Sequence, residues 1–416
     1  MTDLQDLSLR EQAAAIASGD LDPADLLDAT LDRIADDKTN STPVTFPDES
    51  RRMLAGAPAG PLHGVPLTIK DMFTLPWRGM RNGTTVELLP PSPSGMFRRL
   101  RDAGAVIAGV ANQHELGMGA TGALSAYGAC LNPHSLDHCA GGSSSGSAAA
   151  MGAHVVAGSI GSDSGGSTRI PASFCGVLGL KLTYRSVPTD GYLGRSTSFS
   201  APGTFARDAG DLRLLTEAVL NRRLPSDQRE LRVGLVTDPF WLHLDATIDA
   251  RCRAALVASG LDQREITLEG APIAGIATTT LMMGEMGAGL SPAILDGLHP
   301  FTRALAALPH LLPGSAVGKA NRVRALVRRA VAAAFEEVDL LAWPTSATPM
   351  PTIEAAIGGD AGALRQAGLA NLTGLPGISV PVGVDDGGLP VGLQLLAPWG
   401  EEGRLIDAAA LLLANG

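Results

Sequence analysis

Residues 140–181 read AGGSSSGSAAAMGAHVVAGSIGSDSGGSTRIPASFCGVLGLK. Two Gly/Ser-rich turns, GGSSSGS at 141–147 and SDSGGST at 162–168, bracket an Ala-rich helical segment and the run Val155–Ser159. Its two adjacent β-branched residues predict a buried strand. Turn, helix, strand, turn and helix start is the order of an α/β unit. Glycine in such turns permits positive φ and close backbone approach, so several amide N–H groups can converge on one cavity. An anion, or an oxyanion developing in a reaction, suits such a cavity.

Three readings of the stretch are open on its residues alone. A phosphate cradle lacks its pattern: no G-x-x-x-x-G-K-[ST] occurs, since Lys181 comes late in GLKLT, and no G-x-G-x-x-G opens a helix. A hydroxyl nucleophile beside an oxyanion hole has Ser143, Ser144, Ser145, Ser164 and Ser167 as candidates. The third reading is a pair of loops that merely turn the chain. Two clusters one helix–strand unit apart weigh against it.

The chain around this stretch has 416 residues, 45% of them hydrophobic, enough to bury a large core. Its formal charge of −10, with no basic arm, argues against a phosphate-backbone footprint and hence against a nucleic-acid partner. Cys130, Cys139, Cys175 and Cys252 form no C-x-x-C pair, which predicts reduced thiols in a cytoplasmic protein. The polar start MTDLQDLSLREQ reads as no signal peptide, and no apolar run is long enough for a bilayer span.

Toward the N-terminus, Leu7–Ser18 and Pro23–Asp36 read as amphipathic helices, the second capped by Asp22 with Pro23 at its first position. Residues 37–58 read as a mobile connection. In GPLHGVPLTIKDMF (60–73), Val65–Ile69 is a strand that ends at Lys70, and a lysine there reads equally as a solvated charge or a functional one. Gly95–Gly104 and AVIAGVA (105–111) form a helix–strand unit. His114-Glu115 reads as a loop or cap pair. His134 and His138 share a four-residue spacing, but Pro133 precedes them and no H-E-x-x-H frame is present, so no metal is expected.

Toward the C-terminus, LRVGLV (231–236) and EITL (265–268) read as strands around a helix, Ile248–Ser259. Residues 270–335 are mostly helical, with Arg322, Arg324, Arg328 and Arg329 as a solvated basic face. VDLLAWP (338–344) reads as a buried strand followed by a surface loop, TSATPMPT. GISVPV (377–382) and VGLQLL (391–396) flank DDGG as a hairpin, and a last helix begins near Gly403. No composition shift marks a domain boundary, so residues 1–416 read as one domain with 222–340 as a peripheral or inserted subregion.

Set side by side, GPLHGVPLTIKD, RRLRDAGAVIAG, GGSSSGSAAA, DSGGSTRIP–FCGVLGLK and NLTGLPGISVPVG…GLPVGLQLLAP resemble the amidase signature family over most of the chain. The resemblance implies an α/β fold, a mixed, open, twisted β-sheet covered on both faces by α-helices. It also implies a Ser–cisSer–Lys triad: Ser167 as nucleophile, Ser143 as the bridging serine next to a cis peptide, and Lys70 as base. The family's oxyanion donors match the amides of Ser164, Gly165 and Gly166, and Ser144, Asp163 and Arg169 match positions that support the loops. Lys70 serves as a base only when neutral, which burial favours. Ser143 can relay the proton because a hydroxyl both donates and accepts. Three departures stand out: Leu182 in GLKLT where proline is usual, Ser200 where many members carry Asp, and Ser145 in place of glycine.

The expected activity is hydrolysis of a small carboxamide through an acyl-enzyme, without cofactor or metal, on a small-molecule amide, with a homodimer compatible. The competing reading is the A subunit of a glutamine-dependent aminoacyl-tRNA amidotransferase, which needs partner subunits. A scaffold role conflicts with an intact triad. Met118, Tyr127, Tyr192 and Met282 are candidates for an apolar pocket wall, or equally for core.

Overall fold

A strand whose successive residues are all buried must have both faces covered, because its side chains alternate between them. Val106–Ala111 shows this: Val106 and Ala108 join one apolar cluster, Ile107 and Val110 another. Leu340–Pro344 does the same, with Leu340 and Ala342 on one side and Leu341 and Trp343 on the other. Each such Val, Ile or Leu contributes about 1.5–3 kcal/mol by leaving water, so helices on both faces are an energetic requirement of these sequences.

The computed structural model describes residues 4, 6–194, 196–226, 230–237, 244–286, 290, 292–357 and 362–414. Its strands, in chain order, are β1 (Val44–Thr45), β2 (Pro66–Lys70), β3 (Val106–Ala111), β4 (Leu131–Asn132), β5 (Ser135–Cys139), β6 (Ser159–Asp163), β7 (Leu178–Lys181), β8 (Ala201–Ala206), β9 (Arg232–Val236), β10 (Asp262–Ile266), β11 (Leu340–Pro344), β12 (Gly377–Val384) and β13 (Pro390–Leu396). Eleven form one sheet in the order β1-β3-β2-β6-β8-β7-β12-β13-β11-β9-β10, while β4 and β5 pair separately. The sheet is mixed. β3, β2 and β6 are parallel, as are β11, β9 and β10, and antiparallel pairs from β6 to β11 join the two blocks.

The chain runs from β2 to β3 on one side and later returns to place β6 on the other side of β2. Strand order reverses at β2, and crevices at the carboxyl ends of strands at such points are where open α/β sheets hold ligands. β2 ends at Lys70 and β6 at Asp163, with Thr68 opposite Ser159 and Ile69 opposite Ile160. Lys70 and the turn after Asp163 therefore emerge side by side.

The expected helix Pro23–Asp36 is present, the one expected over Gly95–Gly104 spans Gly95–Asp102, and β12 and β13 form the expected hairpin. No helix of the described residues is long and apolar enough to cross a membrane. Residues 222–340 supply β9 and the edge strand β10. They also supply helices Ala271–Met286 and Gly314–Glu337, which pack with Leu341, Trp343 and Leu369.

Four expectations need correction. The strand placed at Val155–Ser159 begins only at Ser159; Val155 and Val156 instead fill the cluster beneath Ala148, Ala149 and Met151. The actual strand is small and polar because it is squeezed: a Cβ on Gly161 would sit 2.6 Å from the Phe205 ring and 2.8 Å from Ser144 Oγ. Residues 37–58 are not a mobile connection. Val44–Thr45 pairs with β3, and helix Pro47–Ala55 is pinned where Ser50 Oγ donates to the Ile107 carbonyl at 2.7 Å. In the loop after β11, Thr345, Ser346 and Ala347 are buried, and Met350 Sδ accepts from Asn132. Finally, the arginine face is not uniformly solvated: Arg324 donates to the Leu372 and Ser198 carbonyls, and Arg328 lies over the Trp399 ring.

Candidate active site

Lys70 is fully buried at the end of β2. Its Nζ donates to Ser143 Oγ at 2.8 Å, Ser144 Oγ at 3.0 Å and Ser162 Oγ at 2.9 Å. The even choice left by the sequence is thereby settled against a solvated charge. Ser143 follows a cis peptide, Gly142–Ser143, and its carbonyl accepts from His114 N–H at 3.1 Å. Ser144 leads into helix Ser145–Gly152; its Oγ donates to the Ser162 carbonyl at 3.0 Å and accepts from Ser162 N–H at 3.1 Å. β6 and the GGSSSGS turn are thus stitched together around the amine.

The second turn, Ser164–Ser167, follows β6 directly. Ser167 is 6% exposed, and its carbonyl accepts from Ser144 N–H at 3.2 Å, which sets the two serine turns against each other. No hydroxyl-to-hydroxyl bond joins Ser143 and Ser167 among the described residues. The contact between the two turns runs through backbone, and catalytic hydrogen bonds in ligand-free sites commonly tighten only with substrate bound.

The turn's shape is held by Asp163. Its carboxylate accepts from Gly166 N–H at 2.7 Å and Thr168 N–H at 3.2 Å. Gly166 sits at φ +116, where a Cβ would lie 2.3 Å from Ala367 Cβ, so only glycine fits. The Gly166 amide, one of the three matched to oxyanion donors, is taken by Asp163. The amides of Ser164, Gly165 and Ser167 have no such partner among the described residues.

Arg169 and Asp163 form a fully buried pair. Arg169 Nε and Nη2 each donate to the carboxylate at 3.1 Å, while Nη1 reaches Gln394 and Nη2 also Asn371, both at 2.8 Å. Burial alone pushes the Asp163 carboxyl up, but the Arg169 guanidinium outweighs it and holds the group at about 2. A depressed carboxyl stabilises the fold above its unfolded pKa of about 3.9 and loses that contribution as pH falls toward about 2. Arg169→Met strands a buried carboxylate. It is expected to lower stability by about 3–5 kcal/mol at pH 7, with the gap from wild type narrowing as pH is lowered through that window in thermal scans. An unchanged melting temperature at pH 7 would contradict the role given to the pair.

Ser162, Asn371 and Gln394 were missed in the sequence. Ser162 stands inside the quoted SDSGGST motif, whereas Asn371 and Gln394 lie more than 200 residues away with no local signal. Asp71, next to Lys70, is buried and takes Arg78 and the Tyr127 hydroxyl. Tyr127 is therefore a strut of that ion pair. Tyr192 stacks on Phe73 with centroids 5.0 Å apart. Met118 packs with Leu298 and Ala306, and Met282 lies in the core with Leu281, Val331 and Trp343. His134 bonds the Cys175 carbonyl and His138 bonds Ser135. Glu115 accepts from His299 N–H at 3.1 Å. No His/Cys/Asp/Glu group that could hold a metal occurs among the described residues.

The sequence profile of the family described as Amidase matches residues 25–272 and 299–406. The chain is 34% identical to the A subunit of the glutamyl-tRNA(Gln) amidotransferase of Thermus thermophilus, with 96% of this chain and 95% of that protein covered. Its fold is similar to a crystal structure of an amidase, at TM-score 0.90 and 28% identity over 98% of this chain and 99% of that one. It is also similar to 6-aminohexanoate cyclic dimer hydrolase complexed with substrate, at TM-score 0.87 and 26% identity over 100% and 98% of the two chains.

Proposed function

Because the chain belongs to the amidase signature family, we propose that it hydrolyses a small carboxamide through an acyl-enzyme on Ser167. The observation that carries this reading is the amine of Lys70, wholly buried and held by three serine hydroxyls at 2.8–3.0 Å beside the Ser164–Ser167 turn. Full burial favours the neutral form of this amine. Its available chemistry is to take a proton from a hydroxyl.

In the proposed mechanism Ser167 Oγ attacks the amide carbon while its proton passes to Ser143 Oγ, and Ser143 gives its own proton to neutral Lys70. The carbonyl oxygen becomes an oxyanion facing the amides of Ser164, Gly165 and Ser167. The C–N bond then breaks, the proton returns through Ser143 to the departing nitrogen, and ammonia or an amine leaves. Water attacks the ester by the same relay, releasing carboxylate and restoring Ser167. Ser144 and Ser162 hold the amine in line, and Asp163 with Arg169 fixes the turn. No step calls for a cofactor or a metal.

A second reading has its own support in the likeness to the Thermus thermophilus amidotransferase chain. On that reading this chain draws ammonia from glutamine within a complex. Both readings use the same acyl-enzyme and differ in substrate and partner. The purified chain is expected to release ammonia by itself from at least one member of a panel of aryl, aliphatic and ureido amides, and to keep that activity after dialysis against EDTA. Silence on the whole panel, with glutamine cleavage appearing only when partner subunits are added, would establish the second reading instead. Activity lost to EDTA and restored by zinc would contradict the serine mechanism.

A further inference from the structure

We propose that Glu285 is a positioning residue for the nucleophile turn, acting through residues 196–200; the inference rests on the Ser167 reading above. Glu285 lies in the last turn of helix Ala271–Met286 and gathers four donors. Its Oε2 accepts from Ser196 Oγ at 2.7 Å, Thr197 Oγ1 at 3.1 Å and Ser198 N–H at 3.1 Å, and its Oε1 from Ser198 Oγ at 2.5 Å. Burial pushes the Glu285 carboxyl up, but the hydrogen bonds from Ser198 and Ser196 outweigh it and keep the group below the usual range. The bonds are therefore charge-assisted, the stronger kind.

Arg324, on helix Gly314–Glu337, grips the same segment from another direction. Its Nη2 donates to the Ser198 carbonyl at 2.7 Å and its Nη1 to Ser198 Oγ at 3.2 Å, while its Nε is anchored on the Leu372 carbonyl at 3.0 Å. Ser198 Oγ thus donates to Glu285 and accepts from Arg324, using both capacities of a hydroxyl.

The segment passes this fixation to the site. Ser200 N–H donates to the Ser196 carbonyl at 3.1 Å, and Ser196 N–H donates to Ser200 Oγ at 2.9 Å, closing one compact turn. Ser200 Oγ meets Ser164 Oγ at 2.6 Å, with both residues buried. Ser164 opens the nucleophile turn, and its amide is one of the three proposed oxyanion donors. A continuous path of hydrogen bonds therefore runs from Glu285 through Ser196 and Ser200 to Ser164. The helices of residues 271–337 hold the oxyanion geometry by this path without touching substrate. Ser200 is its last link.

The test is the rate at which a fluorophosphonate probe labels Ser167 in the full chain. It is run alongside kcat and KM on an amide the wild type turns over, with active sites counted by the probe and thermal scans taken in parallel. Glu285→Ala is expected to slow labelling and lower kcat by up to about 100-fold, the scale of a misplacement near 1 Å and below that of a donor removed outright. KM should change less than about threefold, because the loss falls on the transition state. Glu285→Gln keeps an acceptor oxygen and should recover most of the rate. Ser200→Ala should reproduce the loss with Glu285 intact, and the Glu285→Ala/Ser200→Ala pair should be no worse than either alone. Wild-type labelling at Ser167 with equal rates in Glu285→Ala and Ser200→Ala would overturn the positioning role while leaving the acyl-enzyme reading standing. A loss explained wholly by fewer active sites and a lower melting temperature would overturn it too. A wild type never labelled at Ser167 would overturn both.

Discussion

Ser167→Ala is expected to abolish acyl-enzyme formation and lower kcat by about four to six orders of magnitude, the scale on which removal of a nucleophile from a cooperating catalytic unit acts. The fold should not notice. Ser167 holds the two serine turns together through its carbonyl, which accepts from Ser144 N–H, and alanine keeps that carbonyl. Asp163 holds the neighbouring amides of Gly166 and Thr168, and neither bond involves the Ser167 hydroxyl. Stability should stay within about 0.5 kcal/mol of wild type. Turnover by rapid-mixing assay and melting by thermal scan separate the two effects. A Ser167→Ala protein with even a tenth of wild-type turnover would end the assignment.

Lys70→Ala is the second large effect. It removes the amine that Ser143, Ser144 and Ser162 hold, which is the proposed base, and leaves the Ser143 relay without a proton acceptor. The acylation rate should fall by about three to five orders of magnitude. Some destabilisation is also expected, because the side chain is fully buried and its loss opens a cavity. Lys70→Met is the control: a similar volume fills the site without a basic nitrogen. The methionine protein should unfold closer to wild type and yet remain as inactive as the alanine protein. Near-normal acylation in Lys70→Met would show that a base other than Lys70 serves Ser167.

What the sequence made legible follows from where the information is local. Unbroken apolar runs mark Val106–Ala111 and Leu340–Pro344 because both faces of these strands are buried, and the composition says so directly. The turns at 141–147 and 162–168 were legible because glycine and serine densities of that kind have few other uses. β6 was misplaced for the opposite reason. Its residues are chosen for the tight approach of Ser144 and Phe205 rather than for β propensity, so Val155 and Val156 drew the strand four residues early. Helix Pro47–Ala55 carries few apolar residues and is held by Ser50 against β3, a contact with a partner 57 residues away.

The site divides in the same way. Lys70, Ser143 and Ser167 stand in short motifs that the family resemblance singles out, whereas Asn371, Gln394 and Glu285 reach the site only through tertiary contacts. The Gly166 amide shows the limit at atomic scale. Its residue was correctly placed in the turn, but the hydrogen bond to Asp163 that occupies it is a matter of backbone direction.

The most direct measurement on the central claim is to react the native chain with a fluorophosphonate probe and map the modified peptide by mass spectrometry. A single adduct on Ser167 is expected, absent from Ser167→Ala and formed far more slowly in Lys70→Met. An adduct on Ser143 or Ser144 instead, or full amide turnover by a chain whose Ser167 stays unmodified, would contradict it.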